Sequence, residues 1–122
     1  ATAGAGVHTI TYSFTNANGC TDTASDTIEV FALPNVTFNA LTDICIDQGT
    51  QTGLTGGSPA GGIYSGSGVT DNGNGTTYSF NPATAGAGIH TITYSFTNAN
   101  GCTDTASDTI EVFALPNVTF NA

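Results

Sequence analysis

Three cysteines, two histidines and nine acidic residues are the groups in this 122-residue chain that could carry chemistry, and no Lys or Arg accompanies them. A histidine beside a Ser or Cys nucleophile would suit acyl transfer. No cysteine lies near His8 or His90, however, and spacing alone assembles no Ser-His-Asp set. Asp43, Asp47, Asp71, Asp104, Asp108 and Glu111 could supply a glycosidase carboxylate pair, but without any Trp the chain lacks an aromatic platform for a sugar. Zinc calls for closely paired thiols, and the cysteines have no CxxC spacing. Calcium, a hard cation with oxygen ligands, is the better match to Asp and Asn. "DNGNG" (Asp71–Gly75) resembles half of an EF-hand loop, yet Gly73 stands where the third position needs a ligand. Gly66 and Gly68 imitate nucleotide-binding spacing, but turns and strands follow them and not a helix N-terminus. These residues point to a protein that is not an enzyme and needs no cofactor, with structural calcium as the alternative.

The reactive groups come in copies. Ala1–Ala40 and Ala83–Ala122 are identical apart from Val7 against Ile89, which sets a period of 82 residues (83 − 1). His8 and His90 are one position, and so are Cys20 and Cys102, with Cys45 between them. A lone His in each period is expected at a strand corner, hydrogen-bonded to backbone. Near-identical copies suit an array of modules better than a catalytic chain. The complete module is phased as Leu33–Ala114 (33–114); residues 1–32 end a preceding module, and Leu115–Ala122 (115–122) supply the first strand of a following one. With Ala at residue 1 and no leader-like segment, the chain is expected to be a stretch of a longer or processed protein.

Each period carries two thiols, and the favoured pairing is a structural disulfide Cys45–Cys102, with Cys20 paired outside the chain. It would close a loop of 57 residues (102 − 45), worth about 4 kcal/mol by the chain-entropy model. Two alternatives stay open: Cys20–Cys45, stapling adjacent modules, and unbridged buried thiols. A disulfide implies an oxidising, extracytoplasmic setting.

The elements that must position these groups are strands. Short β-branched runs are expected at Asn35–Phe38, Asp43–Asp47, Thr50–Leu54, Gly62–Val69 and Thr77–Phe80, broken by Gly-rich turns such as "LTGGSPAGG" and "DNGNG". Ile89–Phe96 is the clearest. Its His90, Ile92, Tyr94 and Phe96 face one way and Thr91, Thr93 and Ser95 the other. "TNANGC" turns the chain into a last strand at about Thr105–Phe113. Tyr64, Tyr78, Phe80 and Tyr94 are expected in the core. No helix longer than a turn is expected, and the spacing argues for an all-β, antiparallel β-sandwich. The junction "VFALPNVTF" (Val112–Phe120) has no flexible spacer, and Pro116 restricts it, so modules should join end to end with little bending.

Composition excludes other partners. A formal charge of −9 without a basic residue leaves nothing to neutralise nucleic-acid phosphates or to grip an anionic membrane. No apolar run approaches the ~20 residues of a membrane-spanning helix. Lysine-based isopeptide links are impossible, and trypsin-like proteases find no site, which suits exposure outside a cell.

"GIHTITYSFTNANGC", "TIEVFALPNVTF" and the core "GGIYSGSGV" resemble the Ig-like and PKD-like tandem repeats of giant Bacteroidota cell-surface proteins. Those proteins include gliding adhesins and other cargo of the type IX secretion system. The resemblance covers the whole 82-residue module. It implies an Ig-like sandwich, an extracellular or cell-surface location, and a stalk of such modules in a secreted adhesin or filament. Cys45 and Cys102 match the paired cysteines usual in these repeats. The family also implies O-glycosylation at Asp-(Ser/Thr)-apolar motifs, which here makes Thr23, Thr27, Thr105 and Thr109 candidates; the plainer account is outward-facing strand threonines. The expected partners are neighbouring repeats of one long chain, or identical subunits joined by strand addition at Leu115–Ala122. A calcium- or glycan-binding extracellular module, with surface glycans as partners, is the alternative function.

Overall fold

The computed structural model describes residues 2–121. The chain divides into two compact units, Ala1–Leu33 and Pro34–Ala122. Almost all regular structure is strand, so the all-β expectation holds. Among the described residues no helix is long and apolar enough to cross a membrane.

The first unit is one antiparallel hairpin, β1 (Gly6–Thr15) and β2 (Thr21–Val30), in register from Gly6 opposite Val30 to Thr15 opposite Thr21. Its turn is written locally. Asn16 donates its N–H to Cys20 O (2.8 Å), and its side-chain Oδ1 accepts from the N–H groups of Asn18 (2.9 Å) and Cys20 (3.0 Å).

The second unit begins with β3 (Thr37–Phe38), β4 (Ile44–Cys45), β5 (Gln51–Leu54) and β6 (Gly57–Ser58). It continues with β7 (Ile63–Ser65), β8 (Val69–Asp71), β9 (Tyr78–Phe80), the one-turn helix α1 (Pro82–Ala85), β10 (Gly88–Thr97) and β11 (Thr103–Phe113). One sheet has the order β4-β11-β10-β7 and another β5-β9-β8, while β3 and β6 form a separate pair. All pairings are antiparallel except β4 with β11, where Ile44 lies abreast of Val112 and Cys45 of Phe113.

Both larger sheets feed a single core. Tyr64, Ile92, Tyr94, Ile110 and Val112 come from the four-stranded sheet, Tyr78 and Phe80 from the three-stranded one, and Val36 from the opening segment. Tyr64 stacks on Tyr78 with ring centroids 4.4 Å apart and meets Tyr94 at 4.6 Å. Alternation along the strands accounts for this set: Ile92 and Tyr94 point inward and are fully buried, whereas Ile89 on the opposite face is 69% exposed.

Three local expectations change. The strand expected over Gly62–Val69 is split into β7 and β8, because Gly66 (φ +144°) and Gly68 (φ +77°) adopt backbone conformations that turn the chain between the sheets. Within "LTGGSPAGG", Gly57–Ser58 is a strand and not only a turn, since Thr37–Phe38 lies alongside to pair with it. Among residues 115–121 no strand forms, although their equivalents include β3. β3 exists through its bonds to β6, and no second β6 is there to receive Thr119 and Phe120; Ala122 lies outside the described residues.

Candidate functional site

Apart from Val7 against Ile89, the two hairpins have the same sequence and register, but their surroundings differ. On β10–β11, Ile92 and Tyr94 are 0% exposed and Ile110 is 7% exposed; on β1–β2 the same positions, Ile10, Tyr12 and Ile28, are 64, 70 and 50% exposed. Residues on the other face serve as an internal control. Val7 and Ile89 are 67 and 69% exposed, and Phe31 and Phe113 are 45 and 44%. Among the large apolar residues, the difference therefore lies on the face that, in the second unit, packs on Tyr64, Tyr78 and Phe80. Covering a large apolar side chain is worth roughly 1.5–3 kcal/mol. The β1–β2 hairpin thus exposes the same apolar residues that β10–β11 packs against Tyr64, Tyr78 and Phe80.

Several of the aspartates serve as backbone acceptors. Asp108 Oδ2 accepts from the N–H of Leu41 (3.0 Å), and Asp43 Oδ1 accepts from the N–H of Glu111 (2.9 Å). Together with the β4–β11 pairing, these bonds run the opening segment parallel to β11 at a constant offset of 67–68 residues. Asp71 takes the N–H groups of Tyr64 (3.0 Å) and Gly73 (2.9 Å), and Asp104 that of Thr105 (2.9 Å). Asp43 and Asp108 are thereby spread along β11 and not gathered, and no group of three or more metal-ligating side chains occurs among the described residues. Sequence reasoning missed this tethering role, because the partners are backbone groups 67–68 residues away.

His90 occupies the corner expected of it. Its Nε2 bonds to Gly86 O at 2.7 Å, just after α1, and His8 repeats the contact with Gly4 O at 2.8 Å. The tyrosines expected in the core are there. Burial pushes Tyr78 up to about 12, with the neighbouring Tyr64 adding to the shift, and raises Tyr64 as well. Tyr94 Oη accepts from the Gly62 N–H (2.8 Å) and donates to Pro59 O, closing the "SPAGG" loop over β10. A cavity of about 440 Å³ opens beside β4 and β5. Leu41, Ile44, Leu54 and Ile110 line it, with Asp43 and Gln51 at its polar side. Its one carboxylate is occupied by the Glu111 N–H, and the lining includes no histidine or cysteine to act as nucleophile or base.

The cysteines do not meet as expected. Cys45 lies abreast of Phe113, at the C-terminal end of β11, whereas Cys102 immediately precedes Thr103, at its start. Eleven extended residues (113 − 102) separate the two levels, about 35 Å at strand rise, while bridged cysteines have Cα atoms only ~4.4–6.8 Å apart. No Cys45–Cys102 disulfide forms among the described residues, and the parallel β4–β11 register forbids one within this unit. Cys20 and Cys45 are exposed. Thr23, Thr27, Thr105 and Thr109 are also exposed, on β2 and β11. No family model matches the sequence, and no curated protein does.

Proposed function

We propose that this chain is a structural, non-enzymatic stretch of the stalk of an extracellular bacterial adhesin or surface filament, built from Ig-like β-sandwich modules in tandem. One observation carries the proposal: the same hairpin is fully cored in Pro34–Ala122 and bare in Ala1–Leu33. A hairpin that repeats with a single change, Val7 to Ile89, and keeps its inward apolar face belongs to a repeating unit and not to a binding site that appears once.

Support for the Ig-like assignment comes from the sheet orders. Lettered A to G, the strands β7, β10 and β11 correspond to C, F and G, and β5, β9 and β8 to B, E and D, with the opening segment joining G in parallel. The likeness to Bacteroidota surface repeats adds the setting: secreted, of the gliding-adhesin type, with O-glycans on Thr23, Thr27, Thr105 and Thr109. Neighbouring repeats, or identical subunits, are the partners. The function is mechanical, to occupy length and carry load through inter-strand hydrogen bonds.

Small-angle scattering on chains lengthened by one, two and three 82-residue periods tests this. A stalk adds a constant increment to the maximum dimension, about 40 Å per module from the length of the long hairpin. Growth with the square root of module number, as for freely jointed beads, would overturn it.

A further inference from the structure

The two cysteines of the module, too far apart to bridge within it, lie at its opposite ends, and the repeat brings opposite ends together. Cys45 is fixed at the trailing end, because the Ile46 N–H bonds to Phe113 O (2.9 Å) and β4 pairs there with β11. Cys102 is fixed at the leading end, in the turn closed by Asn98. The Asn98 N–H donates to Cys102 O (2.9 Å), and Asn98 Oδ1 accepts from the Cys102 N–H (3.0 Å). The same position in the first hairpin, Cys20, is exposed at its turn.

The segment that leaves the module measures the gap between the two. Val118 is the repeat equivalent of Val36 and follows Phe113 by five residues (118 − 113), a reach of about 17 Å at most. The 67-residue offset between Leu41 and Asp108, carried back along the opening segment, sets Val36 at the level of Thr103, the residue after Cys102. One short tether therefore runs from the level of Cys45 in one module to the level of Cys102 in the next.

We infer that successive modules are stapled by a disulfide between Cys45 of one module and the Cys102 position of the module that follows. The inference rests on the tandem reading above. Two thiols give up two protons and two electrons as the S–S bond forms, and a disulfide oxidant such as oxidised glutathione or an envelope dithiol oxidase accepts them by exchange. Each junction is then held at two points, the backbone and the disulfide, which removes the hinge a single linker leaves. Cys20 and Cys102 would each pair with the Cys45 position of the module before their own. All three cysteines of this chain would thus have their partners in other modules.

A chain lengthened by one period at its C-terminus, oxidised with glutathione disulfide, provides the test. Glu29 and Glu111 are its only glutamates within residues 1–122, so a glutamate-specific protease cuts once per period. After alkylation and unfolding in urea, the fragment 30–111 should stay joined to the fragment that follows it until reductant is added. Peptide mass mapping should place the bond at Cys45 and the added copy of Cys102. Cys45→Ser, at an exposed position, should abolish the joined species while leaving the thermal transition in place. A Cys45–Cys102 bond inside one 30–111 fragment, or thiols recovered only as glutathione adducts, would overturn the inference. Constant scattering increments in the absence of the joined fragment would remove the staple and leave the stalk proposal standing; a joined fragment with square-root growth would do the reverse.

Discussion

Tyr12 and Tyr94 are the same residue in the same ten-residue strand, yet Tyr12 is 70% exposed and Tyr94 is 0% exposed. Register and turn are identical around the two, and the strands differ only at Val7 and Ile89. What differs is the presence of residues 34–81 over the inner face, from which Tyr64, Tyr78 and Phe80 reach the core. The hairpin is encoded within itself, and the module only in the sum of both parts.

Removing one oxygen should separate the two positions. Tyr94→Phe leaves the Gly62 N–H and Pro59 O without their partner in a buried place, a cost of about 1–3 kcal/mol. Tyr12→Phe should fall within about 0.5 kcal/mol of the parent. Urea unfolding followed by tyrosine fluorescence measures both, and equal effects would contradict the assignment of a single cored hairpin.

The close approach of β6 and the "SPAGG" loop to β10 leaves no room for a side chain at Gly57 or Gly62. A Cβ on Gly57 would lie 2.4 Å from the Tyr94 ring, and one on Gly62 would lie 2.4 Å from Ser95 O. Gly57→Ala and Gly62→Ala should each cost about 1–3 kcal/mol by overpacking, and more where the backbone cannot yield. Thermal melts of the two variants would show the loss, and unchanged midpoints would mean that the loop does not sit against Tyr94.

Two carboxylates hold the opening segment to β11. Asp108→Ala should release the Leu41 N–H and Asp43→Ala the Glu111 N–H, at about 1.5–3 kcal/mol each for a bond to a charged group. Hydrogen exchange read by NMR should show faster exchange at those two amides. Protection unchanged in both variants would contradict the tethering role.

Alkali should unfold the module through its buried phenols. Tyr78 sits at about 12 against an ordinary 10.0, first because it is buried and second because Tyr64 is beside it. Below pH 10 folded and unfolded chains both keep the proton, and this residue adds no pH dependence. Between pH 10 and about 12 only the unfolded chain releases it, so stability falls as pH rises. Tyr78→Phe should flatten part of that decline in urea midpoints measured from pH 8 to 12, leaving the share due to Tyr64, which is raised in the same direction. A decline of full size in the variant would assign it to other groups.

How far the sequence could be read follows the range of each interaction. Ile89–Phe96 and its "TNANGC" turn were legible because alternation sets the faces and Asn98 closes the turn within four residues of itself. The inward set Ile92, Tyr94 and Phe96 followed from the same alternation. Gly57–Ser58 was not legible as a strand, since glycine and serine gain strand geometry there only from Thr37–Phe38, about twenty residues earlier. The thiols misled for a similar reason. Loop length makes Cys45–Cys102 look favourable, but the parallel pairing of Ile44 with Val112 decides which end of β11 each occupies, and nothing local to either cysteine records it.

The measurement that bears most directly on the stalk proposal is the denatured mass of the native material under full reduction. A polypeptide many times longer than one 82-residue period, intact after reductant, is the result predicted here. A reduced chain near 12.2 kDa would contradict it and leave assembly from short identical subunits.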